Sequence, residues 1–562
     1  WHQTVTAQVF DTSPQNRNGR HSFGSYFDSN IDTVDLYNGN LMLNITLFNL
    51  PGRELSTGLQ LSYNSRRWQP SWNQTYGFYT GGWRVHEAVG SAYLDVTFLG
   101  CLETEPTVAM WRPSGYWRDQ LGVFHNYSAS DFYGPCEGSP PYENLSLYPE
   151  NGDGSALVTG SGGLSDLKLY FRDGSVLDMS GSYPRYVTTN GNYLEQDYTS
   201  KMAIQDTLGR TIVYDTNRGS NTPPLCDYTL TDPVPYWKKY TIKNANLADR
   251  TYILNFENNH FTRNPIENCW EHLDDFLTSI ELPNGQSYQF WYDNYQGYLT
   301  RVTLPSGAYI EYVYAGGNHS ETAGDDYILE RHVHPDGTSA FEKWVYTGMT
   351  NDPARTIVVE TPETHQVAHT FNSSGQEIET AYHNAPSTTA TKTVTTGWTN
   401  GRPTQVDTVV GGLKQRTSTE WSYFQKIEHQ EQSEWFTGTT PINRTRTNYE
   451  YEMYIPYLLK SVELQEWDGS AYVQKGFTEL EYDEGSVTAT SGTIPGKATP
   501  PGARGNVTTV RRYKDSTNYV EEHFLYDDLG NVIQVTDPLN HSTTISYADN
   551  FNSTGHNTYA LP

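Results

Sequence analysis

The sequence is short of the residues from which most functional sites are built. It has four cysteines in 562 residues, none in a Cys-x-x-Cys pair, so no structural zinc site is expected of them. Basic residues number 37 against 65 acidic ones, a formal charge of −28. Nucleic acid and anionic membrane surfaces both need a basic footprint, so neither is expected as a partner. No run of about 18 apolar residues is present to span a bilayer as a helix. Leu41–Leu50 comes nearest, and Asn44, Thr46 and Asn49 interrupt it. Apolar residues make up 36%, below the roughly 45–50% of ordinary globular chains. Gly-x-Ser-x-Gly, His-Glu-x-x-His and phosphate-loop motifs are missing, so no catalytic residue and no cofactor is expected. With 65 acidic residues, some carboxylates fall at glycosidase spacing by chance, and a hydrolase stays the weakest alternative.

What the chain has in quantity is tyrosine, 43 of them, within an aromatic content of 14%. A sheet with one face packed by tyrosine and the other wet suits that mixture. The segment 277–315 repeats itself. Leu277-Thr278-Ser279-Ile280-Glu281-Leu282-Pro283-Asn284-Gly285 returns as Leu299-Thr300-Arg301-Val302-Thr303-Leu304-Pro305-Ser306-Gly307. Beyond each glycine the residues alternate. Tyr288, Phe290 and Tyr292 share one strand face, and Ile310, Tyr312 and Tyr314 hold the same offsets. Proline presets φ and glycine supplies a positive φ, so each copy predicts a β-hairpin, and a short repeat period predicts an array.

The same signals recur along the chain. Val34-Asp35-Leu36-Tyr37-Asn38-Gly39-Asn40-Leu41 predicts a hairpin on Asn-Gly. Later turns fall at Asp206 and Gly209, Pro283 and Gly285, Pro305 and Gly307, Pro335 and Gly337, and Asp527 and Gly530. Four segments are expected. Residues 1–33 are irregular, 34–85 are opening hairpins, 86–165 are an aromatic-rich insertion or small β-subdomain, and 166–562 are the repeats. An irregular insertion at about 217–275 breaks the rhythm, with one short helix expected over 264–276. Asp28, Asn30 and Asp32 have the opening spacing of a calcium loop, but Thr33 and Gly39 stand where an EF-hand needs glycine and glutamate. A hydrated loop is expected there.

Leu50-Pro51-Gly52-Arg53, then Leu59-Gln60-Leu61-Ser62-Tyr63-Asn64-Ser65, then Gly81-Gly82-Trp83-Arg84-Val85 resemble the opening of the Rhs/YD-repeat family. That family includes the shell-forming parts of bacterial polymorphic toxins and insecticidal toxin complexes, and the teneurins. Tyr526-Asp527-Asp528-Leu529-Gly530-Asn531-Val532, followed by Thr536-Asp537-Pro538-Leu539, resembles its repeat consensus, departing at Asn540 where glycine is usual. The resemblance covers 34–85 and about 166–550. It implies an all-β fold, a long curled antiparallel strip of YD-type hairpins forming part of a hollow shell or an open spiral tube. It also implies a structural, non-catalytic role. Toxin-bearing members have a C-terminal core motif, an aspartyl self-cleavage site and a variable effector. The sequence up to Pro562 shows none of them, and Asp537-Pro538 belongs to a repeat turn.

Partners expected on this reading are a C-terminal passenger or further copies of the chain, as in a filament. A start at Trp1 without a leader suggests either a removed signal peptide or a fragment, so a secreted or cell-surface location is expected. The disulfides expected are Cys101–Cys136 and Cys226–Cys269, each closing a local loop. Ten Asn-x-Ser/Thr sequons mark potential glycosylation at Asn44, Asn73, Asn126, Asn144, Asn318, Asn372, Asn443, Asn506, Asn540 and Asn552. Surface glycans are an alternative partner, with Trp68, Trp72, Trp83, Trp111 and Trp117 as stacking platforms, although the cluster around Trp72 could instead cap a sheet end. No metal is expected. His332 and His334, two apart after Glu330, are the weak candidates, and histidine in place of a stacking aromatic explains them as well.

Overall fold

The structure is a computed structural model that describes residues 20 and 23–547. Excepted are 66–67, 71–76, 80–81, 87–89, 103–107, 120–123, 135, 137–141, 150–153, 182, 198–201, 218–233, 244–247, 259, 265–268, 274–275, 294–296, 316–326, 350–351, 353, 386, 423–425, 453–457, 491–496 and 516. Among the described residues every regular element is a strand. Thirty-four of them form one antiparallel strip, from Ser91–Leu102 to Ser542–Thr544. The last strand pairs with Val532–Thr536 and does not return to Ser91–Leu102, so the strip is open.

The doubled unit forms the expected hairpins. Phe276–Glu281 pairs with Ser287–Tyr292, and Leu299–Thr303 with Tyr309–Tyr314. Gly285 at φ +81° and Gly307 at +90° close the turns, their N–H groups donating to Leu282 O and Leu304 O. Phe290, Ile310 and Tyr312 are buried, as their alternation requires. Asn540 takes φ +63°, so the residue that departs from the family pattern is one that tolerates the left-handed conformation.

Three expectations need correction. Asp249–Asn258 and Val234–Lys243 make a ten-residue ladder within 217–275, with Tyr236, Tyr240, Leu254 and Phe256 buried on one face. Period-2 alternation therefore holds inside the supposed insertion. The helix over 264–276 is also absent. His260–Asn264 pairs with Cys269–Leu273, in keeping with Pro265 driving Asn264 out of the helical region. Finally, the 86–165 segment does not stand apart: Ser91–Leu102 and Val108–Arg118 lead into Phe124–Ser128, Ser146–Pro149 and Ala156–Gly160 edge to edge.

The N-terminal region forms a second, five-stranded sheet from Tyr26–Asp28, Asp32–Asp35, Leu41–Leu50, Thr57–Asn64 and Trp83–His86. Residues 1–33 are thus partly sheet, since Tyr26–Asp28 pairs with Asp32–Asp35. This sheet lies on one face of the strip and supplies the core, with Leu41, Leu43, Leu59, Leu61 and Tyr63 against Leu277, Leu299, Val302 and Ile328. Tyr63 OH accepts from Leu299 N at 3.0 Å, and Trp83 Nε1 donates to Tyr292 OH at 2.6 Å. Tyr37 meets Phe371, and Phe27 meets Trp344 and Tyr346.

One ion pair fastens the two sheets. Arg331 Nε donates to Asp32 Oδ2 at 2.6 Å and Nη2 to Oδ1 at 3.0 Å, while Tyr312 OH donates to Oδ2 at 2.9 Å. The side chains are 5% and 1% exposed. Asp32 is therefore a buried anchor, not part of a hydrated loop. Burial pushes the Tyr312 phenol far above its ordinary range, and the Asp32 carboxylate adds to the shift. Asp32→Ala would leave the Arg331 guanidinium buried without its counter-charge, at an expected loss of about 3–5 kcal/mol. Urea unfolding followed by tryptophan fluorescence measures it. A loss within the about 0–1 kcal/mol of an exposed pair would show that the sheets are held by something else.

Candidate functional site

The strip curls until turns far apart in sequence meet, and a polar network forms where they do. Its centre is the turn 51–56, the Pro-Gly-Arg turn between Leu41–Leu50 and Thr57–Asn64. Glu54, at φ +54°, accepts from Thr188 Oγ1 and Asn190 Nδ2 at 2.5 Å and from Asn192 Nδ2 at 2.8 Å. Those residues belong to the turn between Arg185–Val187 and Tyr193–Asp197, early in the strip. Late in the strip, Asn506 exchanges amide bonds with Asn190 at 2.9 and 3.1 Å. Asn192 Nδ2 donates to Leu529 O at 3.0 Å, and Arg504 Nη1 donates to Asn190 Oδ1 and Asp528 O at 3.0 and 3.1 Å.

Two of the repeat turns predicted from sequence build this joint. Asp206 Oδ1 accepts from Leu208 N and Arg210 N, and its Oδ2 accepts from Arg210 Nε and Thr57 Oγ1. Arg210 then donates to Pro51 O at 2.7 Å. Buried Arg53 reaches Thr207 O at 3.0 Å, and burial pushes its guanidinium down despite the nearby Asp206 and Asp527. Asp527 Oδ1 accepts from Leu529 N and Asn531 N, and Gly530 closes that turn at φ +88°. Sequence reading found the turns. It missed Glu54, Asn190, Asn192 and Asn506, whose partners lie up to 337 positions away and leave no periodic trace.

Past residue 400 no second sheet lies on the strip among the described residues, and strands such as Arg402–Val410, Leu413–Trp421, Arg444–Tyr451 and Tyr472–Tyr482 are half-exposed along their length. Charge ladders fill the faces. Arg416 binds Asp407 through Nε and Nη2 at 2.7 and 2.6 Å, with Lys414 Nζ 3.3 Å from the same carboxylate. Glu431 holds Arg444, Arg446 and Tyr472 OH, and Arg511 contacts Glu479, Glu481 and Glu521. The bonds from Arg416 hold Asp407 below the usual carboxylate range.

The proposed sugar platforms are placed otherwise. Trp111 is buried against Phe98, and Trp117 stacks on His125 and abuts Phe171. Trp83 lies between Tyr63 and Phe290. Rings occupied in this way by protein side chains are packing residues, which corrects the expectation for these three. Trp72 and the Trp68 side chain lie outside the described residues. The most exposed aromatics among the described residues are Tyr133 and Tyr148, and Tyr148 lines an open groove of 710 Å³ with Phe132 and Pro113. Of the sequons, Asn144, Asn443 and Asn540 are exposed, and Asn44 and Asn372 are half-buried. Asn126 and Asn506 are buried, so neither amide is placed to carry a glycan. Asn73, Asn318 and Asn552 fall outside the described residues. Cys101 and Cys136 form the expected disulfide, Cα to Cα 5.8 Å, while Cys226 and the Cys269 side chain fall outside. Pro335 and Gly337 turn beside His334, and Gly337 N donates to His334 O at 3.2 Å.

No protein-family model and no curated protein matches the sequence. Among solved structures the chain is similar to the Tc holotoxin pore of Photorhabdus luminescens, at 10% identity, TM-score 0.27, covering 79% of this chain and 24% of that one. It is similar to the TcdB2-TccC3 crystal structure at 12% identity, TM-score 0.29, covering 90% and 28%. A form of that complex without its hypervariable C-terminal region matches at 11% identity, TM-score 0.28, covering 79% and 24%. The chain thus spans about a quarter of the length of the structures it matches.

Two measurements test the joint and the ladder. A Cβ at Gly530 would lie 2.5 Å from Asn190 Nδ2 and 2.8 Å from Glu54 Oε1, whereas one at Gly285 meets nothing within 4 Å. Both turns share a positive φ, so Gly285→Val is expected to cost about 1–3 kcal/mol of backbone strain and Gly530→Val clearly more. Equal losses in a urea melt would mean that the joint is not formed. For the ladder, the lowered Asp407 gives stability that is present above the unfolded carboxylate value of about 3.9 and lost as pH falls through the folded value. The stability difference between the wild type and Asp407→Asn should therefore be level from neutral pH to about 5 and shrink steadily as pH falls below the unfolded value. A difference that persists in acid would assign the effect to packing.

Proposed function

We propose that the chain is a non-catalytic structural protein, a wall segment of YD-repeat type that is secreted or displayed at a cell surface. The observation that carries this reading is the joint around Glu54. It ties an early turn of an open strip to a late one, at Asn190 and Asn506, without continuing the ladder. A strip so tied is a curved wall. Beyond residue 400 it is one sheet thick, with half-exposed strands fitted to water on both sides. The Cys101–Cys136 disulfide supports an oxidising destination. Enclosure of a C-terminal passenger is the finer form of this proposal.

A filament is the second reading. Among the described residues Ser91–Leu102 pairs only with Val108–Arg118, and Ser542–Thr544 only with Val532–Thr536, so the strip keeps two unpaired edges. Electron microscopy of the purified chain separates the readings. Curled particles that open when Asn190→Ala is combined with Asn506→Ala support the wall. Fibres that persist in that double variant support edge pairing, and straight ribbons in the wild type would discard the joint as the organising contact.

A further inference from the structure

On the face of the strip turned away from the N-terminal sheet, the ladder brings Glu311, His332 and His334 together. Glu311 is the cross-strand partner of His332, and His334 stands two residues further along the same strand. One carboxylate oxygen and one nitrogen of each imidazole lie within 4.8 Å of one another. His334 Nε2 is already 3.3 Å from Glu311 Oε2. Two ligands at the Zn–N distance of about 2.0–2.1 Å stand about 3.3–3.4 Å apart in a tetrahedron, so this edge needs no movement.

Both rings are held by their other nitrogens. His334 Nδ1 donates to Thr338 O at 2.8 Å, and a carbonyl can only accept. Its lone pair therefore falls on Nε2, which is buried and makes no hydrogen bond, in a residue 3% exposed. The 3.3 Å approach to Glu311 is close enough for an ion pair, yet it lacks the alignment of a hydrogen bond. Two ligand atoms facing each other at that distance can share one cation. His332 Nε2 donates to Glu330 Oε2 at 2.7 Å, which puts its lone pair on Nδ1. Lys343 Nζ, 3.2 Å from Glu330 Oε1, holds that carboxylate from its other side. A carboxylate or carbonyl on the far nitrogen is how metal-binding histidines are oriented.

The rings are also fixed in plane. His334 stacks on Tyr309 at 4.0 Å and His332 on Phe341 at 4.4 Å. Stacking and ligation are thus compatible here and not alternatives. Arg301, cross-strand from Glu311, lies with its guanidinium 3.8 Å over the Tyr309 ring.

We infer that Glu311, His332 and His334 form a binding site for one divalent transition-metal ion of the zinc class, with Glu330 and the Thr338 carbonyl orienting the two imidazoles. Two imidazoles and one carboxylate suit Zn²⁺ better than Mg²⁺ or Ca²⁺, and three protein ligands leave a position for water or a partner's side chain. The ion would tie strands Tyr309–Tyr314 and Ile328–His334 across the outer face.

Equilibrium dialysis of the full chain against zinc, after treatment with chelator, tests this. The wild type is expected to hold one ion per chain that His332→Ala and Glu311→Gln each weaken at least tenfold. Glu330→Gln, which touches no metal, is expected to weaken it about tenfold through the ring. Far-UV circular dichroism confirms that the variants fold, and His332 and Glu311 are partly exposed, so their replacement spares the core. Cobalt in place of zinc should give visible ligand-field absorption in the wild type that collapses in His332→Ala. Zinc uptake equal in the wild type and the His332→Ala, Glu311→Gln double variant would overturn the site, as would cobalt spectra that the variants leave unchanged.

Discussion

The structure depends on a bond from an aromatic side chain at the end of one strand to the main-chain carbonyl at the start of the strand before it. Tyr292 OH donates to Leu277 O at 2.6 Å, and Tyr314 OH to Leu299 O at 3.1 Å. Tyr451, Tyr482 and Tyr526 do the same to Ile427, Leu459 and Val507. Trp398 and Trp421 substitute an indole N–H, reaching Glu377 O and Pro403 O. At each of the five tyrosines the register to the following strand slips by one residue. A bulge withdraws ladder bonds and adds twist, and the hydroxyl satisfies a carbonyl beside the gap. The bond thus stabilises the defect that bends the strip, and all seven donors stand on one rim. Curvature accumulates because the same defect recurs on that rim.

The local grammar of this device was legible in the sequence. The Leu-Pro-x-Gly repeats, the Asp-x-x-Gly turns and the tyrosines two apart define hairpins whichever way the strip is later bent, and Cys101 with Cys136 closes a loop that local spacing favours. What lay beyond reading were contacts between turns on different hairpins. Asp32 read as part of a hydrated loop because Asp28 and Asn30 stand beside it in a polar stretch, yet its partner Arg331 is 299 positions away. The tryptophans misled for a related reason. Trp83 and Trp111 are conspicuous in a polar stretch, and conspicuous aromatics in a chain with little other apolar content are the ones its core needs. Strand periodicity within 217–275 is present at Tyr236, Tyr240, Tyr252 and Leu254, but it is masked between turns that lack the Pro-x-Gly signal.

A chain with only 36% apolar residues folds here by confining its core. The five-stranded sheet and the strands facing it hold most of the fully buried leucines, isoleucines and aromatics. Elsewhere one layer suffices, because each cross-strand pair adds about 0.2–1 kcal/mol and the ladders of arginine with glutamate or aspartate are such pairs. Arginine also lies over aromatic rings, as Arg444 does over Trp467 at 4.3 Å and Arg446 over Tyr472 at 3.9 Å. These contacts cover ring faces without requiring a second sheet. The net charge of −28 then works against stacking of one wall on another.

The two unpaired edges bear on how such walls assemble. Growth of a filament needs unlike ends to pair repeatedly. Here the ends do not match. Ser542–Thr544 is three residues long and exposed throughout, a short polar edge of the kind that discourages pairing. Ser91–Leu102 is twelve residues long, presents Tyr93, Phe98 and Leu99 to solvent, and is interrupted by a bulge between Phe98 and Gly100. Its far end is tied back by the Cys101–Cys136 bridge. Head-to-tail joining could therefore engage three residues of the long edge and leave the rest bare. Two copies of the long edge, running antiparallel, could instead cover each other along the run before the bulge, and an isologous contact of that kind closes after one step. On the proposed reading, these edges of the described strip thus weigh against fibres, in the same direction as the joint at Glu54.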